Sequence, residues 1–359
     1  MKRILRILSD AIRGKEKNFT TGSINRAIIL LSIPMVLEMI MESLFAVVDV
    51  YYVGRIGPNA VATVGLTESV ITLVYSMAIG ISTAPMAMIA RYIGKGDQAG
   101  ASKVVLQAIY LAVSIALLVG VPGFFFAADI LRVMGGTEEL IAEGVGYTQL
   151  MFASNIFIML LFLLNGIFRG AGDAHLAMRA LWLANIINIV LDPIFIFGWG
   201  PIPEMGVMGA AVATTIGRGC GVAYQFYLLS SGKSVVHINW KQLGIDWNII
   251  RRLFKIAANG ALQFLIASAS WIFLMRIIAV FGSEAVAGYT IAIRLIIFAI
   301  LPSWGLANAA ATLVGQNLGA GQPERAATSA WRAAFLNMLF LLTVSIIFYL
   351  NAEFMIQIF

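Results

Sequence analysis

The stretch RIGPNAVATVGLTESVITLVYSMAIGISTAPMAMIARYIGKGD (residues 55–97) lies over VFGSEAVAGYTIAIRLIIFAILPSWGLANAAATLVGQNLGAGQ (residues 280–322) without a gap, at a constant offset of 225. Identities fall in register at Gly57/Gly282, Ala60/Ala285, Val61/Val286, Ala62/Ala287, Ile71/Ile296, Gly80/Gly305, Ala84/Ala309, Gly94/Gly319 and Gly96/Gly321. Apolar segments match by composition alone, but the shared glycine ends IGKGD and LGAGQ do not follow from apolarity. The offset holds six segments apolar enough to cross a bilayer as helices. Six crossings return a chain to the side it started from, so the two copies run the same way and form a parallel repeat.

Composition demands the same setting. Of 359 residues, 60% are hydrophobic and 12% charged, with a mean hydropathy of +0.90, against roughly half apolar and about a quarter charged in soluble domains. Apolar runs long enough to span a hydrocarbon core of ~30 Å fall near 27–53, 60–88, 103–126, 142–168, 179–198, 206–230, 256–280, 284–314 and 331–350. The prediction is an all-α polytopic membrane protein with nine spans. If the N-terminus is inside, 19 of the 24 basic residues fall in inner segments, two (Arg55 and Arg132) in outer loops, and three (Arg218, Arg276 and Arg294) in spans. Lys and Arg accumulate on the cytoplasmic side, so a cytoplasmic N-terminus in the cell (inner) membrane is expected. Topology also accounts for the net charge of +6 without nucleic acid as a partner.

The repeat divides the chain into an arm (1–22), a first lobe of spans 1–6 (23–231), a linker (232–255) and a partial second lobe of spans 7–9 (256–359). Carried to its end, the second copy would need three more spans, so nine of an expected twelve are present. The arm is basic and amphipathic and has no short apolar core with a small-residue cleavage site, so it is expected to be an interfacial arm rather than a signal peptide. The linker GKSVVHINWKQLGIDWNIIRRLFKI (232–256) mixes Trp240, Trp247 and aliphatic positions with cations at Lys241, Arg251, Arg252 and Lys255. It is expected to lie as an amphipathic helix at the inner interface, a tether whose basic face meets anionic headgroups. Cys220 is the only cysteine, which excludes an intrachain disulfide, and His175 and His237 stand apart from any metal-ligating partner. No HExxH, Walker loop or GxSxG occurs, which argues against a membrane enzyme, a resident cofactor or an ATP-driven pump.

An ionisable residue at membrane depth costs at least ~2.5 kcal/mol on insertion scales, so it faces a partner or a cavity. The first span carries Glu38, Glu42 and Asp49, which lie within about 40° of one another around a helix and form one acidic stripe. In the fifth span, NIINIVLDPIFIFG (185–198), Asn185, Asn188 and Asp192 share a face at spacings i, i+3 and i+7. Pro193 removes an amide donor there and frees a carbonyl one turn back. Carboxylate, amide and carbonyl oxygens are hard donors of the kind Na⁺ requires, and a buried carboxylate can hold a proton instead. By helical rise, Asp49, Glu68, Asp192 and Thr214 fall in one layer of the outer half. The competing readings are neutralisation of an arginine such as Arg218 or Arg294, and asparagine as interhelical glue. Met35, Met39, Met41, Met86 and Met88 fit either an adaptable cavity or ordinary packing.

These segments resemble the MATE family, the multidrug and toxic compound extrusion transporters. The resemblance rests on SIPMVLEMIMESLFAVVDVYYVGRIG (32–57), ARYIGKGD (90–97), FRGAGDA (168–174), NIINIVLDPIFIFG (185–198), GVMGAAVATTIGR (206–218) and VGQNLGAGQ (314–322), and runs from about residue 23 to the end. It implies two six-helix lobes around a central cavity, and export of amphipathic, often cationic drugs in exchange for Na⁺ or H⁺ by alternating access. It further implies a cation site in the first lobe at Asp49, Asn188, Asp192 and Thr214, with Asn185 beside it and Thr215 as the substitute for Thr214 if the loop register slips by one. Glu38, Glu42 and Glu68 are the candidates for the substrate cavity. The family's alternative seventh-span glutamate has no counterpart in ANGALQFLIASASW (258–271), which favours first-lobe coupling. A monomer in contact with membrane lipids is expected. Two other functions compete: a lipid-linked oligosaccharide flippase of the same superfamily, which would need a basic cavity, and a non-transporting membrane receptor or scaffold.

Overall fold

The computed structural model describes residues 2–16, 18–238 and 243–352. Among them are twelve helices: α1 (Lys2–Arg13), α2 (Ile24–Gly54), α3 (Pro58–Gly94), α4 (Gln98–Phe125), α5 (Ala127–Val133), α6 (Glu138–Ala153), α7 (Asn155–Ala171), α8 (Ala174–Phe197), α9 (Val207–Ser230), α10 (Trp247–Ala279), α11 (Ser283–Gly319) and α12 (Pro323–Leu350). No β-strand occurs among the described residues, only an isolated bridge between Trp199 and Ile202. All nine expected spans are helical, and seven have both the length and the apolarity to cross a membrane. Of the other two, α9 is diluted by polar residues such as Thr214, Arg218 and Gln225.

The fourth span is two helices, α6 and α7, parted at Ser154. There the side chains compete with the helical backbone: Ser154 Oγ donates to the carbonyl of Met151 (3.4 Å), and Asn155 Nδ2 donates to those of Phe152 (2.9 Å) and Ala116 (3.2 Å). Around this broken span packs the main core, with Leu161, Leu163, Leu164, Ile167 and Phe168 of α7 fully buried.

The repeat is visible as geometry. Helices α3 and α11 both have 37 residues, α4 and α12 both have 28, and each pair begins and ends 225 positions apart. The turns between them match bond for bond: Lys95, Gly96 and Asp97 donate to Arg91, Ile93 and Tyr92, as Ala320, Gly321 and Gln322 donate to Gln316, Leu318 and Asn317. Gly96 (φ +74°) and Gly321 (φ +72°) both take the left-handed conformation that glycine adopts without steric cost.

The two copies meet where α3 crosses α11. A Cβ on Gly94 would lie 1.9 Å from the carbonyl oxygen of Gln316, and one on Gly319 would lie 2.1 Å from that of Arg91. Gly94/Gly319 and Arg91/Gln316 are repeat-related pairs, so each helix presents the same face to the other across a pseudo-two-fold axis. Missing side chains let the backbones touch. The closure is reinforced by Thr312 Oγ1, which donates to the carbonyl of Arg169 (3.0 Å), and by Gln316 Nε2, which donates to that of Gly170 (3.2 Å).

Two connections differ from expectation. The described part of the linker up to Asp246 is not helical; the helix starts at Trp247, capped by Asp246 Oδ1, which accepts from the amides of Asn248 (3.0 Å) and Ile249 (3.2 Å). Residues 247–255 are therefore the first turns of α10, and Val236 and Ile238 are buried against the protein core rather than in an interfacial face. Trp240 and Lys241 lie outside the described residues. The N-terminal arm is helical, but it too is docked: Ala11 is buried with Ala27, Leu30 and Leu31, and Arg179 donates to the carbonyl of Ile12 (3.1 Å).

Candidate cation site and its ion-paired neighbours

The acidic stripe of α2 faces α7, α8 and α9, and its three carboxylates meet different partners. Glu38, fully buried, accepts at Oε1 from Arg169 Nη2 (2.5 Å) and Asn165 Nδ2 (2.8 Å). Asn165 Oδ1 in turn accepts from Gln225 Nε2 (2.6 Å), which ties α2, α7 and α9 together. One turn outward, Glu42 accepts from Arg218 Nη2 (2.7 Å) at one oxygen and from Asn185 Nδ2 (2.9 Å) at the other. Arg218 also stacks over the Phe45 ring at 5.1 Å. Both glutamates thus neutralise arginines inside the bundle.

Asp49 and Asp192 have no such cation. Asp192 is completely buried; Oδ1 accepts from Asn188 Nδ2 (3.3 Å), and Oδ2 has no hydrogen-bond partner. Asn188 Nδ2 also donates to Thr214 Oγ1 (3.0 Å), while Asn188 Oδ1 is another buried oxygen without a partner. Asp49 is buried, forms no hydrogen bond or ion pair among the described residues, and lies within electrostatic reach of Asp192 and Glu68 and of the Arg218 guanidinium. Glu38 Oε2 is likewise unbonded, but its sister oxygen already carries an arginine. Unpaired anionic and amide oxygens in one buried place form the donor set a small cation or a proton requires.

The structure therefore joins Asp192, Asn188 and Thr214 by hydrogen bonds, with Asp49 within electrostatic reach of Asp192. Thr215 turns its hydroxyl to the carbonyl of Ala211 (2.7 Å). Asn185 sits apart, its amide committed to Glu42. Glu68 is exposed on α3 and forms no ion pair among the described residues. None of the three glutamates lines the apolar cavity of about 260 Å³ between α2 and α11, which is bounded by Ile40, Ser43, Leu44, Val47, Leu301 and Pro302. Tyr147 of α6, buried and within reach of Asp49, Glu68 and Asp192, was not a sequence candidate. A tyrosine in a membrane span does carry a signal, since its hydroxyl needs a polar neighbour when buried.

The MatE family profile matches residues 34–194 and 260–359, on both sides of the linker. The chain belongs to the MatE family. It is a multi-pass membrane transporter by that membership and by its helices. Among curated relatives of this MatE chain, "Probable multidrug resistance protein NorM" of Thermotoga maritima is 27% identical over 94% of the chain and 72% of its own length. "FAD transporter" of Shewanella oneidensis is also 27% identical, over 94% of the chain and 74% of its own length. Among solved structures, a MOP superfamily transporter from Pyrococcus furiosus, described as having a binding pocket of reversed polarity, superposes with a TM-score of 0.87 at 28% identity. That match covers 95% of this chain and 75% of the other.

Proposed function

We propose that this MatE protein exports small amphipathic, cationic drug-like molecules from the cytoplasm by secondary antiport, with Na⁺ or H⁺ entering at Asp49, Asn188, Asp192 and Thr214. The observation that carries the reading is the contrast within one bundle. Glu38 and Glu42 are bound to arginines, whereas Asp192 is buried with an unpartnered oxygen, within electrostatic reach of Asp49, which forms no ion pair among the described residues. An uncompensated buried carboxylate is costly unless a cation or proton occupies it. The names of NorM and other multidrug relatives support the drug substrate.

In this reading the protein is a monomer in the cell (inner) membrane with its N-terminus in the cytoplasm. Asn185 acts indirectly, by holding Glu42, and the division into two lobes joined at 232–255 supplies the two bodies that rock. Cation occupancy favours one arrangement of the lobes and drug the other, each shifting the equilibrium only by its differential affinity. The test is dye efflux from proteoliposomes under imposed Na⁺ or pH gradients. Wild type is expected to follow one gradient and Asp192→Asn to lose that dependence; unchanged gradient-driven efflux by Asp192→Asn would move the coupling site elsewhere.

A further inference from the structure

A groove of about 410 Å³ opens at the inner end of the bundle between α3, α10 and α11, lined by Met88, Arg91, Tyr92, Lys95, Arg252, Lys255, Ile256 and Leu318. Its four cations are exposed, and none forms an ion pair among the described residues. The nearest acids in sequence are already engaged: Asp97 Oδ1 accepts from the Gly100 amide (2.8 Å) and Asp246 caps α10. Four like charges converge, and no carboxylate among the described residues is ion-paired to any of them.

Repeat symmetry sharpens the point. The positions equivalent to Arg91, Lys95, Arg252 and Lys255 are Gln316, Ala320, Ala27 and Leu30. Gln316, Ala27 and Leu30 are buried, the last two in one cluster with Phe19 of the chain's own arm. A fold that closes over one copy of this surface with its own residues leaves the other copy open and charged. General inner-face positivity would not by itself place four cations around one cavity and none at the equivalent positions.

We propose that this groove binds a phosphate-bearing anion, bridging α3 to α10. The cations supply charge-assisted hydrogen bonds to phosphate oxygens. Met88, Ile256 and Leu318 supply an apolar wall, and Phe254 and Trp247 stand exposed nearby, which suits a phosphate carried by an anionic phospholipid of the inner leaflet. The inference uses the orientation set by the basic residues and is independent of which solute is exported. A ligand here holds together helices that belong to opposite halves of the repeat, and so favours the inner closure at Gly94 and Gly319.

The experiment is native mass spectrometry of the intact protein in neutral detergent, titrated with phosphatidylglycerol or phosphatidylcholine of equal chain length, and separately with inorganic phosphate as competitor. Wild type is expected to retain phosphatidylglycerol selectively. Lys95→Gln with Lys255→Gln should weaken retention about 25-fold, since each lost charge near an anionic headgroup is worth about fivefold. Lys103→Gln with Lys233→Gln, also exposed and basic but outside the groove, should leave it unchanged. Displacement by inorganic phosphate at low concentration would assign a soluble phosphate as the occupant of the same site. Equal losses in the two double variants, or no selectivity for either phosphate source, overturns the proposal. Arg91→Lys with Arg252→Lys keeps the charge and should keep binding, which separates electrostatics from damage to the fold.

Discussion

Two carboxylates inside the bundle, Glu42 of α2 and Asp192 of α8, end with different work because of what stands opposite them. Glu42 meets Arg218, and both are held by further contacts, to Asn185 and to the Phe45 ring. Breaking a buried pair from one side leaves a charge without compensation, at about 3–5 kcal/mol, while replacing both partners by apolar groups of similar size is near neutral. Arg218→Met should therefore lower the thermal midpoint sharply, and Arg218→Met with Glu42→Leu should recover most of the loss, read by thermal unfolding in detergent. Asp192 should behave the other way. Its carboxylate has no arginine to strand, so Asp192→Asn is expected to fold at least as stably as wild type while failing to couple.

At the scale of the element, the crossing of α3 and α11 depends on absent side chains. A methyl on Gly94 would sit 1.9 Å from a backbone oxygen, a distance no rotamer change relieves. Gly94→Ala must push the two helices apart at their inner ends, weakening the nearby bonds from Thr312 and Gln316 to the carbonyls at the end of α7. Because Cys220 is the only cysteine, Cys220→Ser gives a clean background for labelling. In it, Gln316→Cys should react slowly with a membrane-impermeant thiol reagent applied from the inner side, and faster when Gly94→Ala is added. Equal rates would mean that the glycine contact does not hold the inner end closed. The described linker residues 232–238 and 243–246 are not helical, which fits the same mechanics, since such stretches let the two halves move without bending a helix.

For the whole molecule, the repeat provides two similar bodies and the charges make them unequal. The unpaired aspartates lie on α2 and α8, within the first copy, while the basic groove joins the first copy to the second. A cation that binds the folded protein stabilises it by mass action, about 2.7 kcal/mol at a hundredfold excess over its dissociation constant. Either added Na⁺ or lowered pH, according to the coupling ion, should raise the thermal midpoint of wild type. The same change should have little effect on Asp49→Asn with Asp192→Asn. A shift of equal size in the double variant would place the ion elsewhere.

The sequence by itself determined the spans, the parallel repeat and the charge asymmetry from which inner and outer faces are assigned, because hydropathy, basic-residue counts and a fixed offset are properties of one dimension. It also put Asp49, Glu68, Asp192 and Thr214 at compatible depths, since helical rise converts residue number directly into depth. Rotation and crossing of helices are not written in that way. Only the tertiary structure decided that Glu38 and Glu42 face Arg169 and Arg218, partners 131 and 176 residues away, and that Asn185 is drawn to Glu42 instead of Asp192. The same holds for Tyr147 beside the aspartates and for the convergence of Arg91 and Lys95 with Arg252 and Lys255. Each of these depends on which side chain a neighbouring helix presents at a given height, and that is fixed by close packing of whole helices, such as the glycine contact of α3 with α11.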